Sequence, residues 1–209
     1  MSSTLKEENV FEFELFEENG SGMMAAESSW RGFAIELQEL HYLKGAQFVN
    51  QLKLIVSEGD FQPVKGENNI YSAISEQSDD FDNLINAARK AVAHGYRVFV
   101  LPNPKGIRTA DFIFERKGVF KLFDLKTISG RGSVSNRLME SIGQTNHVVL
   151  NMTIDYEPRL LAKDIMSYFE VNRDAREVLI LKGSKFLSVS RRFVEGSDYI
   201  KMFMKRYLR

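Results

Sequence analysis

One segment of the sequence, residues 110–126, constrains the fold more than any other because it predicts a β-hairpin. Two runs rich in Phe, Ile, Leu and Val flank the dipeptide Lys117-Gly118. Apolar runs separated by a short turn that contains glycine are typical of hairpins. If Lys117 and Gly118 are the two loop residues, counting outward along both strands places Asp111 opposite Asp124. We therefore expect the two carboxylates to share one side of the sheet, a few ångströms apart.

A lysine accompanies this pair of acids. Lys126 follows Asp124 by two positions, and the alternation of side chains along a strand points both to the same side. Two facing carboxylates resist joint ionisation unless a cation lies between them, and hard oxygen ligands suit Mg²⁺ or Mn²⁺. A neighbouring lysine can orient a water molecule or stabilise charge on a phosphate. The three residues therefore indicate metal-assisted cleavage of phosphodiester bonds.

Charge is distributed unevenly along the chain, although its formal net charge is zero. Residues 1–80 carry 15 Asp/Glu and 5 Lys/Arg, whereas residues 81–209 carry 13 Asp/Glu and 23 Lys/Arg. A basic region attracts polyanions, and an acidic region repels them, pairs with the basic region or binds another protein. Two solvated faces of opposite charge would give the same counts.

The composition of the chain also indicates the cellular compartment in which it folds. The chain has no cysteine, which excludes disulfides and thiolate metal sites and fits a reducing cytosol. Its amino terminus lacks a basic segment followed by an apolar one, and no apolar run approaches the length of a membrane span. We expect a cytoplasmic protein without membrane contact.

The order of predicted elements becomes clear from residue 81 onward. The apolar periodicity predicts a helix over 81–94, a strand over 96–101, the two hairpin strands, a helix over 134–145 and a strand over 147–152. A helix over 160–172, strands over 177–181 and 186–189, and a basic helical tail follow. Residues 57–80 are rich in turn formers and acids and are predicted to be a linker.

Asp111 followed by Asp124-Leu125-Lys126 resembles the signature of the PD-(D/E)XK nuclease superfamily, an acid on one strand and (D/E)-x-K on the next. Ala110 stands where that signature usually has proline. The predicted helix, three strands, helix and strand match the αβββαβ core of the superfamily. The resemblance implies an α/β fold with a mixed central sheet and a restriction-endonuclease-like core. It also implies a nuclease domain over 76–209, after an acidic accessory or partner-docking region over 1–75.

Within the superfamily, residues 81–190 most resemble the nuclease domains at the C-termini of contact-dependent growth inhibition toxins, many of which cut tRNA. The resemblance lies in Ala93-His94-Gly95-Tyr96 before a strand that closes in Leu101-Pro102, in the two acidic strands, and in the segment 143–150. It implies that the carboxylates of Asp111 and Asp124 and the carbonyl of Leu125 hold Mg²⁺ or Mn²⁺. Lys126 and Gln144 would complete the catalytic group. The acid that such domains carry in their first helix has its counterpart in Asp82, with Asn86 in the better-phased position.

Basic and small polar residues are expected to contact nucleic acid. The segment 129–133 joins glycines to a predicted helix start, where exposed main-chain N–H groups bind anions and arginine clamps them. An ordinary surface loop without a bound anion would have the same sequence pattern. The predicted nucleic-acid-binding residues are Arg108, Arg131, Ser133, Asn136, Arg137, Lys185, Arg191 and Arg192.

The function predicted from these patterns is a metal-dependent endonuclease, with RNA slightly favoured over DNA, in a toxin, a defence system or a mobile element. One alternative is a catalytically inactive nuclease-like fold that binds nucleic acid or a protein partner. A second is a metal-independent ribonuclease that uses His147 and Lys126 as acid and base. A protein partner or inhibitor would bind through the acidic N-terminal region.

Overall fold

Eight strands lie side by side in the order in which the chain makes them. The arrangement is seen in a computed structural model that describes residues 40, 43–73, 80–102, 109–130 and 134–209. The strands are β1 (Gln62–Pro63), β2 (Ile70–Ser72), β3 (Arg97–Val100), β4 (Phe112–Arg116), β5 (Val119–Ile128), β6 (His147–Met152), β7 (Glu177–Lys182) and β8 (Lys185–Ser190). The helices of the described residues are α1 (Ala46–Glu58), α2 (Phe81–Ala93), α3 (Val134–Glu140), α4 (Pro158–Val171), α5 (Arg191–Val194) and α6 (Tyr199–Tyr207).

The sheet is mixed, as the sequence predicts. β2 pairs with β3, β5 with β6 and β6 with β7 in parallel, and the remaining neighbours are antiparallel. From α2 to β6 the elements follow in the predicted order of helix, three strands, helix and strand. The predicted α/β fold class is confirmed.

The hairpin of β4 and β5 has the predicted register. Arg116 pairs with Val119 at the turn, and the ladder continues to the pair formed by Phe112 and Phe123. Lys117 and Gly118 have φ angles of 53° and 76°. Positive φ at both loop residues is the geometry of a type I′ turn, whose twist matches that of the two strands. A local pattern in the sequence therefore sets the spacing of everything that follows on β5.

β5 lies between β4 and β6, and each of these neighbours pairs with a different half of it. Its residues up to Phe123 pair antiparallel with β4, and its residues from Asp124 to Ile128 pair parallel with β6. The two ladders meet between Phe123 and Asp124. Beyond that point the edge of β5 that faced β4 is no longer paired with a strand residue of β4.

The two faces of the sheet are buried under different helices. Side chains alternate along β5, so that Phe123 and Leu125 pack beneath α2 while Leu122 and Ile128 lie on the opposite face. That opposite face is covered by α1 over the β3–β5 region and by α3, α4, α5 and α6 over the β5–β8 region. Asp124 and Lys126 share the parity of Leu122, so they lie on this second face.

The segment 57–80 is not simply a linker, because β1 and β2 lie within it. β2 pairs with β3, and Val64 and Ile70 are buried in the core beneath α2. Strands of two and three residues are too short to give a periodic pattern of apolar residues. From the sequence, only the turn formers and acids around them could therefore be detected. The sheet therefore extends across residue 75, the predicted boundary between the acidic region and the rest of the chain. Residues 1–39 of the acidic region lie outside the described residues.

α3 is shorter than the sequence predicts. α3 ends at Glu140, five residues before the predicted end, and turns follow through Gly143, whose φ is 85°. That φ is left-handed and favours glycine, so a regular helix does not continue through this position.

Among the helices that the structure describes, none has the length and apolarity needed to cross a bilayer.

Candidate active site

Asp111 lies just beyond the end of the β4–β5 ladder. Its main-chain N–H donates to the carbonyl oxygen of Phe123 at 3.0 Å, although the register of the hairpin would place Asp111 opposite Asp124. Its side chain turns back to β5, where Oδ2 accepts a hydrogen bond of 2.6 Å from the main-chain N–H of Leu125. The carboxylate therefore binds the residue that directly follows Asp124.

Asp124 is buried on the face of the sheet that Lys126 shares. Its residue exposure is 1%, and the side chain of Lys126 is 13% exposed. Nζ of Lys126 lies 3.1 Å from Oδ1 and 2.9 Å from Oδ2 of Asp124. The structure thus brings together the three residues that the hairpin pattern singled out.

The two carboxyl groups influence each other's ionisation. Burial, followed by the negative charge of Asp124, raises the pKa of Asp111 to about 8. The N–H of Leu125 and the charge of Lys126 oppose that rise but do not cancel it. Two carboxylates that face one another in a buried site do not both ionise freely, so the pair retains a proton at neutral pH.

The donor set suits a hard divalent cation. The N–H and C=O of one strand residue point to the same neighbouring strand, so the carbonyl of Leu125 faces the side where Asp111 lies. Within the described part of the chain, no three His, Cys, Asp or Glu side chains form a metal-binding group. Mg²⁺ needs only one or two carboxylates, together with waters and substrate phosphate oxygens. Asp111, Asp124 and the Leu125 carbonyl therefore fit the ion that the sequence predicts.

A buried tyrosine beneath the site was not found from the sequence. Tyr168 of α4 is 0% exposed, and its hydroxyl accepts from Ser141 Oγ at 3.3 Å and from Asn172 Nδ2 at 3.1 Å. Burial raises the pKa of Tyr168, and the charge of Asp124 adds to the rise. In the sequence, Tyr168 falls on the apolar stripe of its helix, and that position gives no sign of a polar role.

The first-helix acid predicted from the family resemblance does not reach the acid pair. α2 packs on the face of the sheet that carries Phe123 and Leu125, opposite to the face that carries Asp124. Asp82 and Asn86 are exposed on α2. The amphipathic pattern of α2 predicts a buried stripe but does not say which face of the sheet that stripe covers.

His147 and Lys126 do not converge either. His147 lies on the α2 face, with its ring centroid 5.3 Å from that of Phe123, whereas Lys126 points to the other face. Burial lowers the pKa of His147 to about 4, which keeps the imidazole neutral at physiological pH. An acid and base on opposite faces of a sheet cannot act on one phosphate, so the predicted metal-independent ribonuclease site is not assembled.

Glu177 forms a separate polar group beside His147. Its carboxylate is held by Nζ of Lys121 at 2.6 Å and by the hydroxyl of Ser188. Burial opposes ionisation, but these hydrogen bonds outweigh it and the pKa of Glu177 is lowered. The group ties β5, β7 and β8 together on the α2 face.

Two of the predicted nucleic-acid-binding residues are exposed on α3. Asn136 and Arg137 lie on its surface, where Arg137 forms an ion pair of 2.9 Å with Glu140. Gln144 donates from Nε2 to the main-chain oxygen of Glu140 at 3.0 Å, which closes the end of the helix. Arg108, Arg131 and Ser133, which were also predicted to bind nucleic acid, lie outside the described residues.

The predicted residues of the C-terminal region differ in their surroundings. Arg191 donates to the carbonyl oxygens of Ala175 at 3.0 Å and of Asn172 at 2.5 Å, so its guanidinium is engaged within the protein. This geometry argues against the predicted contact of Arg191 with nucleic acid. Arg192 and Lys185 are exposed.

Comparisons with known proteins give one structural likeness. No protein-family model matches the chain, and no curated protein matches it significantly. A chain of the solved CdiA-CT/CdiI toxin and immunity complex from Burkholderia pseudomallei is similar, with 21% sequence identity and a TM-score of 0.40. The similarity covers 56% of this chain and 92% of that one. At this TM-score the likeness supports no inference about function, which has to rest on the site itself.

Proposed function

We propose that the chain is a metal-dependent nuclease that hydrolyses phosphodiester bonds. The observation that carries the proposal is the convergence of the buried Asp124, the half-buried Asp111 and Lys126 at the point on β5 where pairing with β4 ends. Asp111 and Asp124 are close enough to share a proton, and Lys126 lies 2.9 Å from Asp124. Burying two acids and a lysine together is costly unless a ligand uses them.

The residues of the site have separable tasks in this proposal. A divalent cation held by Asp111, Asp124 and the Leu125 carbonyl would supply positive charge next to the substrate phosphate. Asp124 orients the ammonium group of Lys126 through two short contacts. Lys126 then holds the attacking water or stabilises the negative charge that develops at phosphorus. Leu125 fixes Asp111 through its main-chain N–H.

We also propose RNA, and tRNA in particular, as the favoured substrate, in a toxin, defence or mobile-element setting. This choice is supported by the resemblance of the acidic strands and of residues 143–150 to toxin nuclease domains. A protein partner that binds through the acidic N-terminal region belongs to the same proposal.

A second candidate function is binding of nucleic acid without cleavage. It is favoured by the absence, within the described residues, of a third acid beside Asp111 and Asp124. A site with two carboxylates holds a metal ion less firmly than one with three, and loss of the ion would leave a binding protein.

Cleavage of labelled total tRNA and of plasmid DNA, measured side by side with Mg²⁺, Mn²⁺ or EDTA, tests the proposal. Wild type is compared with Asp124→Asn and Lys126→Ala, and Asp82→Asn serves as the matched control because it removes an exposed acid from the other face of the sheet. We expect metal-dependent cleavage that both site variants lose and the control keeps. The substrate that disappears identifies RNA or DNA.

Two results would contradict the proposal. Cleavage that persists in EDTA would show that no metal is needed. If neither substrate is cut, while the wild type still shifts nucleic acid in a gel with a steep dependence on salt, the second candidate function is correct.

A further inference from the structure

A small cationic pocket lies between the β7–β8 hairpin and α6. Its volume is about 160 Å³, and its lining includes Lys182, Lys185, Arg206, Arg209 and the rings of Phe186 and Tyr207. In the described part of the chain, no acidic residue lines it. Pockets for drug-sized ligands have volumes of about 300–1,000 Å³, so this pocket suits a smaller group.

The pocket is held in shape by packed rings and by its own cations. The ring of Tyr207 stacks on Phe203 at 5.6 Å, and Nζ of Lys182 lies 5.2 Å from the centre of the Tyr207 ring. Nζ of Lys185 donates to the carbonyl oxygen of Tyr207 at 3.3 Å. Two of the cations, Lys182 and Lys185, therefore contact Tyr207, whose ring is packed against Phe203.

One acid compensates part of this charge from outside the pocket. Oδ1 of Asp155 lies 2.6 Å from Nζ of Lys182, but the side chain of Asp155 is 94% exposed and is not part of the lining. Concentrated positive charge at a concave surface attracts anions, and guanidinium groups suit phosphate oxygens in particular.

The pocket and the acid pair lie toward the same face of the sheet, the face covered by α4 and α6. Lys126 pairs with Leu150 of β6, and Leu150 pairs with Ile180 of β7. Lys182 lies two residues beyond Ile180 and therefore on the same side of its strand. Neighbouring strands are about 4.8 Å apart, which places β7 about 10 Å from β5. Along the strands the two groups are offset, because Asp124 is level with Val178 and Lys182 lies four residues, about 13 Å, further toward the carboxyl end of β7. Lys182 therefore lies at the end of its strand where ligands bind in open α/β sheets.

We propose that this pocket binds a phosphate group of the nucleic-acid strand whose neighbouring segment lies at the acid pair. The inference rests on the proposed function for its choice of nucleic acid, and on the pocket alone for its choice of phosphate. Lys185, Arg206 and Arg209 are exposed at its rim and hold the phosphate oxygens, while Tyr207 and Phe186 limit the size of the group. Binding at two places roughly 16 Å apart fixes the register of the strand relative to Asp124.

Inorganic phosphate tests the pocket without any nucleic acid. Thermal unfolding of the full chain is followed in EDTA as phosphate is added, at constant ionic strength. The compared proteins are wild type, the double variant Lys185→Gln/Arg206→Gln, the single variant Arg209→Gln and the control Lys163→Gln/Arg173→Gln. The control removes two exposed cations elsewhere. We expect phosphate to raise the Tm of wild type and control, and to raise it much less in the pocket variants.

A second arm measures binding of a fluorescent single-stranded RNA in EDTA. The double variant should bind it about tenfold more weakly than the control, with a salt slope shallower by about one to two. Arg209→Gln, at the exposed chain end, repeats the test where the double variant is unstable by circular dichroism.

The outcomes separate this inference from the proposed nuclease activity. A phosphate response that is absent in wild type, or equal in wild type and pocket variants, overturns the pocket. A lost phosphate response with unchanged RNA binding shows a site for free phosphate and overturns its place on the nucleic-acid path. If no nucleic acid is cut in the presence of metal while the pocket variants still lose phosphate and RNA binding, the nuclease proposal fails and the pocket stands.

Discussion

The side chain of Asp111 takes its hydrogen bond from the main chain of Leu125, at 2.6 Å, one residue beyond its partner acid Asp124. The contact replaces the strand pairing that ends at Phe112 and binds the carboxylate to β5. The acid is thus fixed in place by the fold before any ligand is present, which is the pre-organisation that an electrostatic site requires.

Asp111→Asn should stabilise the metal-free protein increasingly as pH rises. The pKa of Asp111 is raised in the folded state, so between its ordinary value near 4 and about 8 the unfolded chain releases a proton that the folded chain keeps. That difference lowers the unfolding free energy of wild type as pH rises, and asparagine removes it. Urea unfolding in EDTA at pH 5 and pH 8 should show the gap between variant and wild type widening by about 1 to 3 kcal/mol.

Asp82→Asn controls for the change in net charge in this experiment. Mg²⁺ provides a second check, because the ion should raise the Tm of wild type and leave that of Asp111→Asn unchanged. A gap that stays constant with pH would show that Asp111 is ionised in the folded protein.

Lys126→Met should abolish the chemical step while leaving nucleic-acid binding largely intact. The ammonium group is placed 2.9 Å from Asp124, where it acts on charge that develops only during reaction. We expect the single-turnover cleavage rate with Mg²⁺ to fall about a hundredfold or more. Lys163→Met, on the exposed surface of α4, is the matched control. An equal loss of rate and of RNA affinity in EDTA would instead make Lys126 a binding residue.

His147→Gln should reduce the sensitivity of the fold to mild acid. The pKa of His147 is lowered to about 4 in the folded state. As pH falls from about 6.5 to 4, the unfolded chain therefore binds a proton that the folded chain does not bind. Wild type therefore loses stability through this window, whereas glutamine has no such proton. Relative to wild type, the variant should gain about 1 to 3 kcal/mol between pH 7 and pH 4.5. Asn146→Gln, at the preceding position, should run parallel to wild type.

Lys117→Asn should stabilise the protein. Lys117 has a φ of 53°, a left-handed conformation that asparagine adopts more readily than lysine, and Asn-Gly is the preferred dipeptide of type I′ turns. We expect an increase of about 0.5 to 1 kcal/mol in the unfolding free energy measured with urea. Lys65→Asn, in another exposed turn, controls for the loss of one positive charge. A decrease specific to Lys117→Asn would mean that the lysine side chain stabilises the turn.

The parts of the fold that the sequence predicted depend on local patterns. The hairpin register follows from Lys117-Gly118 and the flanking apolar runs, because a two-residue turn leaves little freedom in pairing. That register in turn places Asp124 and Lys126 on one face without any knowledge of the remaining chain. What the pattern missed is the departure of Asp111 from the ladder, which depends on its side chain competing for the N–H of Leu125.

The parts that were missed depend on contacts between distant residues. The face of the sheet that α2 covers decides whether Asp82 can join the acid pair, and that choice is made by packing against β3, β4 and β5. The place of Tyr168 beneath Asp124 depends likewise on how α4 crosses the sheet. The pocket beside Lys182 and Arg206 joins a hairpin to the last helix, and no short motif contains both.

The type I′ turn has one further consequence, which concerns the lengths that related chains can have. Side chains alternate in direction along β5, so inserting one residue between Gly118 and Asp124 would carry the acid through the sheet to the side of α2. Inserting two would restore its direction but move it about 6.8 Å along the strand, away from Asp111. The site is therefore encoded by the parity of this hairpin as much as by its residues. Relatives that keep the acid pair should vary the length of the two strands together and in even steps.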